Sequence, residues 1–165
     1  MANFSSAIFR SVPGAFILNS GIEKLKADAQ TSAGIQQMAV SGIPALKKIP
    51  SEHFAKVIGG SEIAVGGALL APFVPNRLAG AALAAFGGGM LTMYFRNEEN
   101  TQADGIRPTP NGIPLAKDSW LLSTGLGLMA LGQGDAWRDK MTDRKIRKAE
   151  KKAAKEAAKD VRSNL

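Results

Sequence analysis

Two ionisable side chains stand inside runs that otherwise carry no charge: Arg10 within residues 4–22, and Glu62 within residues 57–74. A charge held among apolar neighbours in a bilayer costs a few kcal/mol, so such groups face a partner or water inside a helix bundle. The economical expectation is that Arg10 and Glu62 form a buried ion pair. The functional alternative gives Glu62 the role of a titrating carboxylate in a proton or quinone site, since perturbed carboxyls mark functional and structural pairs alike. Beyond these two the reactive inventory is thin. The 165 residues contain no Cys, one His and one Tyr, which leaves out thiol nucleophiles, disulfide frameworks and Cys-ligated metals. A single His53 does not make a metal site, so no catalytic residue and no metal ligand is assigned.

Four apolar runs have to position these charges: residues 4–22, 57–74, 78–95 and 119–134. Each lies near the lower end of the roughly 17–25 residues that cross a ~30 Å hydrocarbon core. The third and fourth carry no charge, and the third has no polar stripe at helical spacing of the kind a solvated helix needs. The reading is an all-α, four-transmembrane-helix bundle over residues 1–134. Trp120 and Trp137 are 17 positions apart, about 25 Å along a helix, and flank the fourth run as anchors at the two membrane interfaces. Pro72 and Pro75 make a short break between runs two and three and predict an antiparallel hairpin. Residues 23–55 form a longer connection with a short helical piece over 32–40, and residues 97–117 read as irregular loop. Small residues repeat every four positions on two runs, Gly60, Ala64 and Ala68 on the second and Gly80, Ala84 and Gly88 on the third. Such stripes let helix backbones approach closely in lipid. The first run contains Pro13-Gly14 and has no basic residue before Arg10, so it is expected to be retained rather than cleaved as a signal peptide.

Residues 135–165 are a different object. They hold eleven of the 21 Lys and Arg residues and six of the 14 acids, a net charge of +5 out of the chain's +7. The Glu150 to Lys159 stretch has the composition of a solvated Glu/Ala/Lys helix. Its weak stripe of Ile146, Ala149, Ala153, Ala157 and Val161 lacks the large side chains that would embed it in a monolayer. With no aromatic beyond Trp137 to stack on bases, nucleic acid is not an expected partner; anionic lipid headgroups are. Counting the tail, basic residues favour both termini on the cytoplasmic side, and omitting it reverses the bias.

The order of residues resembles the DoxX family of small integral membrane proteins. Arg10, Pro13-Gly14, Phe16, Gly21 and Lys24-Leu25 are similar to the family's opening helix, and Gly60-Ser61-Glu62-Ile63 through Gly67-Ala68-Leu69-Leu70 to its acidic, Gly-rich second helix. Asn76-Arg77-Leu78-Ala79-Gly80 resembles its hairpin and third helix, and Lys117-Asp118-Ser119-Trp120-Leu121-Leu122 its fourth. The match covers residues 7–131 and leaves the tail outside. The resemblance implies a multi-pass protein of the bacterial cytoplasmic membrane, with relatives that are subunits of quinone-linked respiratory or thiosulfate-oxidising complexes. A fold does not carry its activity with it, and a chain without Cys lacks a residue for sulfur transfer. The expectation is therefore a non-catalytic accessory or structural subunit among other membrane-protein subunits, in a respiratory assembly of the cytochrome bcc-aa3 type, with no cofactor of its own. The competing expectation is a quinone-binding subunit of a DoxX-like thiosulfate:quinone oxidoreductase, using the Arg10 and Glu62 region. A transporter finds no support, because no repeat of discontinuous helices is visible.

Overall fold

A computed structural model describes residues 4–163, with side chains described for 5–134 and 136–152. The described chain is all-helical: α1 (Phe4–Leu25), α2 (Ala29–Gly42), α3 (Ser51–Leu70), α4 (Asn76–Arg96), α5 (Ile113–Ala116) and α6 (Ser119–Ser163). Short 3-10 turns at Pro44–Lys48 and Glu98–Asn100 complete the elements, and an isolated bridge pairs Thr101 with Pro108. The chain divides into two compact units, Met1–Leu131 and Gly132–Leu165.

Glycine decides how the first unit packs. Along α1 and α3 the contacts run in opposite directions, Gly14 against Leu69 and Leu70, Gly21 against Gly59 and Ile63. A Cβ added at Gly21 would lie 2.6 Å from the Gly59 carbonyl oxygen, and one at Gly59 would lie 2.7 Å from that of Gly21. The two backbones therefore touch where neither residue has a side chain, the close approach that small residues permit. α4 meets the start of α6 in the same manner through Gly80, Gly87 and Gly125. The stripes expected at helical spacing hold at Gly80 and Ala84 but not at Gly60, Ala64 and Gly88. On α3, Gly60 and Ala64 are exposed and an added Cβ at Gly60 meets nothing within 4 Å; the contact glycines are Gly59 and Gly66. On α4, Gly80 is buried at the interface and the Ala84 backbone faces Gly125, but Gly88 opens on empty space and Gly87 is the contact. Runs of two or three adjacent glycines allow either register, and the partner helix selects one.

The hydrophobic core is small: Ile17, Leu69, Ala79, Leu83 and Leu128, with Val65, Val74, Phe86 and Leu121 against it. Large apolar side chains point outward instead, among them Phe16 at 73% exposure, Val12 at 72% and Phe73 at 85%. Arg10 and Glu62 are each only 3% exposed. Two buried charges beside an exposed Phe16 and Phe73 depart from the distribution usual in a water-soluble domain. Among the described residues one helix, α4, is long and apolar enough to cross a membrane by length and composition. α1 and α3 are 22 and 20 residues long, but Arg10, Glu23 and Lys24 in one and Glu52, Lys56 and Glu62 in the other interrupt their apolar stretches.

The connection after α4 is more ordered than an irregular loop. The buried Asn100 donates from Nδ2 to the Met93 carbonyl at 3.0 Å and receives the Thr109 N–H at 2.9 Å on its own carbonyl. Tyr94 donates its hydroxyl to the Ile106 carbonyl at 2.7 Å. Gly105 turns the tip of this segment with φ 69°, a conformation that favours glycine. The second unit is helical through Ser163, and its side chains from 136 to 152 are exposed. The positions 153, 157 and 161 of the weak apolar stripe, and the basic side chains beyond Lys152, lie outside the described residues.

Candidate functional site

Arg10 does not pair with Glu62. Its guanidinium donates to five oxygens at the end of α3 and in the turn that follows. Nε reaches the Leu69 carbonyl at 2.7 Å, and Nη1 reaches the Val74 carbonyl at 2.9 Å and Asn76 Oδ1 at 3.0 Å. Nη2 reaches the carbonyls of Ala68 at 2.8 Å and Ala71 at 2.7 Å. The sequence explains why these oxygens want a donor. A helix carbonyl is met by the N–H four residues on, and the residues four on from Ala68 and Ala71 are Pro72 and Pro75, which have none. Arg10 supplies what the two prolines remove, and places a cation where the helix dipole favours one. A planar fork of five donors suits this task better than a point charge. The sequence contained the signal, since two prolines at that spacing remove the i+4 donors of Ala68 and Ala71, and only Ala71 finds another, the Val74 N–H at 3.2 Å.

Glu62 has a different partner. Lys24 Nζ, at the end of α1, donates to Glu62 Oε2 at 2.9 Å and to Ser20 Oγ at 2.7 Å. The Glu62 side chain is 5% exposed and that of Lys24 24%. The Gly21–Gly59 contact brings Lys24 to this depth, because it lets α1 lie against α3 one turn before the carboxylate. The pairing was missed because Lys24 stands at the end of its run, where snorkelling to the surface is the easy account of a lysine.

Beside this pair is a cavity of about 630 Å³. α2 contributes Ile35 and Met38, α3 Phe54 and Ile58, and α4 Phe86 and Met90 to its wall. Lys24 and Glu62 supply its charge, with Thr31 and Ser61 the remaining side chains that carry a hydroxyl. α2 is held over the cavity by specific bonds: the buried Ser32 hydroxyl donates to the Ser51 carbonyl and accepts the Ala55 N–H at 2.9 Å, while Gln36 Nε2 reaches the carbonyls of Leu46 and Ile49. Asp28 caps the helix by accepting the Thr31 N–H at 2.7 Å. At the far end Gly42 fits against the backbone of Met93, and Arg96 donates to the Gly42 carbonyl at 2.8 Å.

No protein-family model, curated protein or solved structure matches this chain. The site therefore has to be read from its own geometry. Of the residues expected to do chemistry, Arg10 and Glu62 are both buried in the first unit but serve separate contacts. Ala68 enters through its carbonyl rather than its methyl group. Trp120 is 70% exposed in the first unit and Trp137 71% exposed in the second. His53 is exposed beside Glu52, 3.8 Å away.

Proposed function

We propose that the chain is a multi-pass protein of the bacterial cytoplasmic membrane, with α1, α3, α4 and the start of α6 as four spans, both termini cytoplasmic, and a packing role in a larger complex. The observation that carries the membrane reading is the inverted surface, with Val12, Phe16 and Phe73 outward and Arg10 and Glu62 inward. In water that surface would be an aggregation hazard, whereas in lipid it is the expected one. Short spans interrupted by charge are supported by the way the two buried charges are answered, Arg10 by carbonyls and Glu62 by Lys24. The accessory reading is supported by the use of both buried charges in structural contacts, which leaves Arg10 no free donor for catalysis, and by the resemblance to DoxX proteins. The basic second unit then lies against anionic headgroups on the cytoplasmic face.

Two experiments test this. Release of the intact chain by carbonate washing would refute the membrane assignment. Purification from native membranes in mild detergent should return the chain in a particle of much larger mass, and Glu62→Gln should leave electron transfer by a host respiratory complex close to wild type. The quinone-binding reading is favoured by one observation, the apolar cavity beside Lys24 and Glu62. It takes over if the isolated protein oxidises or reduces a quinone and Glu62→Gln abolishes that activity while assembly is normal.

A further inference from the structure

The cavity beside the Lys24–Glu62 pair presents a donor and an acceptor side by side in an apolar wall. An ammonium has three N–H donors, and Lys24 directs two of them at Ser20 and Glu62. Glu62 uses Oε2 for Lys24, and Oε1 accepts no hydrogen bond within the described residues. No enclosed side-chain nitrogen or oxygen among those residues is left without a partner, so Oε1 is not fully enclosed, and Glu62 lines the cavity. We infer that the cavity binds a lipid-soluble molecule with one neutral hydroxyl head, the hydroxyl donating to Glu62 Oε1 and accepting from Lys24.

The head group follows from charge and from hydrogen-bond arithmetic. Lys24 and Glu62 neutralise each other, so a charged head would meet one unlike and one like charge. A ketone or ether accepts without donating and leaves Oε1 unanswered, whereas a hydroxyl answers both groups. The body follows from the wall. A volume of about 630 Å³ falls within the ~300–1,000 Å³ of small-molecule sites and suits one chain or ring system. Met38, Met90 and Met93 line it, and flexible thioether chains adapt to ligands of varied shape. The inference does not depend on any host complex.

The test uses the purified full chain in mild detergent, with tritiated hexadecan-1-ol as probe and hexadecyl methyl ether and hexadecane as competitors. Hexadecan-1-ol should bind at one site per chain and at least tenfold more tightly than the ether or the alkane. Gly89 lines the cavity, and a Cβ added there meets no atom within 4 Å, so Gly89→Phe should fill the space and abolish binding. Gly34, also in the wall and also open, gives a second filling variant, Gly34→Phe, should the first not fold. Gly60→Phe, open but away from the cavity wall, should bind as wild type. The double change Lys24→Met/Glu62→Leu should bind the alcohol and the ether equally. Equal binding of alcohol, ether and alkane by the wild type would overturn the inference, as would undiminished binding by a folded filling variant.

Discussion

Replacing Arg10 by Met is the perturbation for which the structure makes the largest claim. Methionine keeps most of the side chain's length and removes every donor. Among the five oxygens, the Ala71 carbonyl keeps the Val74 N–H at 3.2 Å, and Asn76 Oδ1 sits on a side chain that can turn. The carbonyls of Ala68, Leu69 and Val74 accept from Arg10 and have no second donor among the described bonds. Three carbonyls left unmet, that of Leu69 buried and those of Ala68 and Val74 partly so, cost ~1–3 kcal/mol each, and the desolvation of a guanidinium that is no longer buried returns part of the sum. The net loss is about 3–5 kcal/mol, at the upper end of what single substitutions do. For a unit of Met1–Leu131, an unfolding entropy of ~2.1 cal/mol/K per residue converts this to a fall in Tm of roughly 11–18 °C. The assay is thermal melting of the full chain in mild detergent, followed by helical circular dichroism. Arg10→Lys should fall between wild type and Arg10→Met, because one ammonium cannot span acceptors spread from Ala68 to Asn76. A shift below ~3 °C for Arg10→Met, under 1 kcal/mol on the same conversion, would refute the claim that this side chain closes the end of α3.

The other predictions use the same melting experiment. Lys24→Met leaves Glu62 buried without its cation and should cost ~3–5 kcal/mol, while Lys24→Met/Glu62→Leu should recover most of that loss. Arg10→Met and Lys24→Met share no partner, and their losses should add within ~0.5 kcal/mol. Gly87→Leu would force a side chain to within 2.7 Å of the Leu122 nitrogen and should cost at least ~1–3 kcal/mol by overpacking, while Gly88→Leu, opening on empty space, should stay within ~0.5 kcal/mol of wild type. Burial pushes the half-buried Asp118 carboxyl from its ordinary 3.8 up to about 6. The folded state then holds a proton that the unfolded state has released, so stability is greatest below the unfolded value and is lost as pH rises through 6. Tm should therefore fall between pH 4.5 and 7.5 by more in wild type than in Asp118→Asn, and equal falls would contradict the assignment.

The helices themselves were legible in the sequence, because each apolar run had proline or a polar cluster at its end. The hairpin at Pro72 and Pro75 and the short helix near residues 32–40 were readable for the same reason. Pairing was less so. Arg10 and Glu62 matched by charge, yet a guanidinium is satisfied as well by carbonyls as by a carboxylate, and composition does not tell the two apart. Lys24 reaches Glu62 because Gly21 and Gly59 bring two backbones together, a fact of three dimensions. The glycine register failed by one residue at Gly60 and Gly88 because Gly59-Gly60 and Gly87-Gly88-Gly89 offer equivalent steps to any rule based on spacing. The cavity had no sequence signature, since Ile35, Met38, Phe86 and Met90 are ordinary apolar residues until α2 is placed across α3 and α4.

The reach of Arg10 also sets an order of events during synthesis. Every one of its acceptors lies 58 to 66 positions further along the chain, so none has been made when the first helix leaves the ribosome. At ~5–20 residues per second, the guanidinium waits roughly 3–13 s before the turn after α3 exists. Through that interval the first helix carries one unanswered charge among apolar residues. That charge is met when the turn between α3 and α4 has been made. Helix α1 is thus made before α3 and α4 but completes its contacts only after them, and a pause in translation before Asn76 would prolong the time its guanidinium stands unmet.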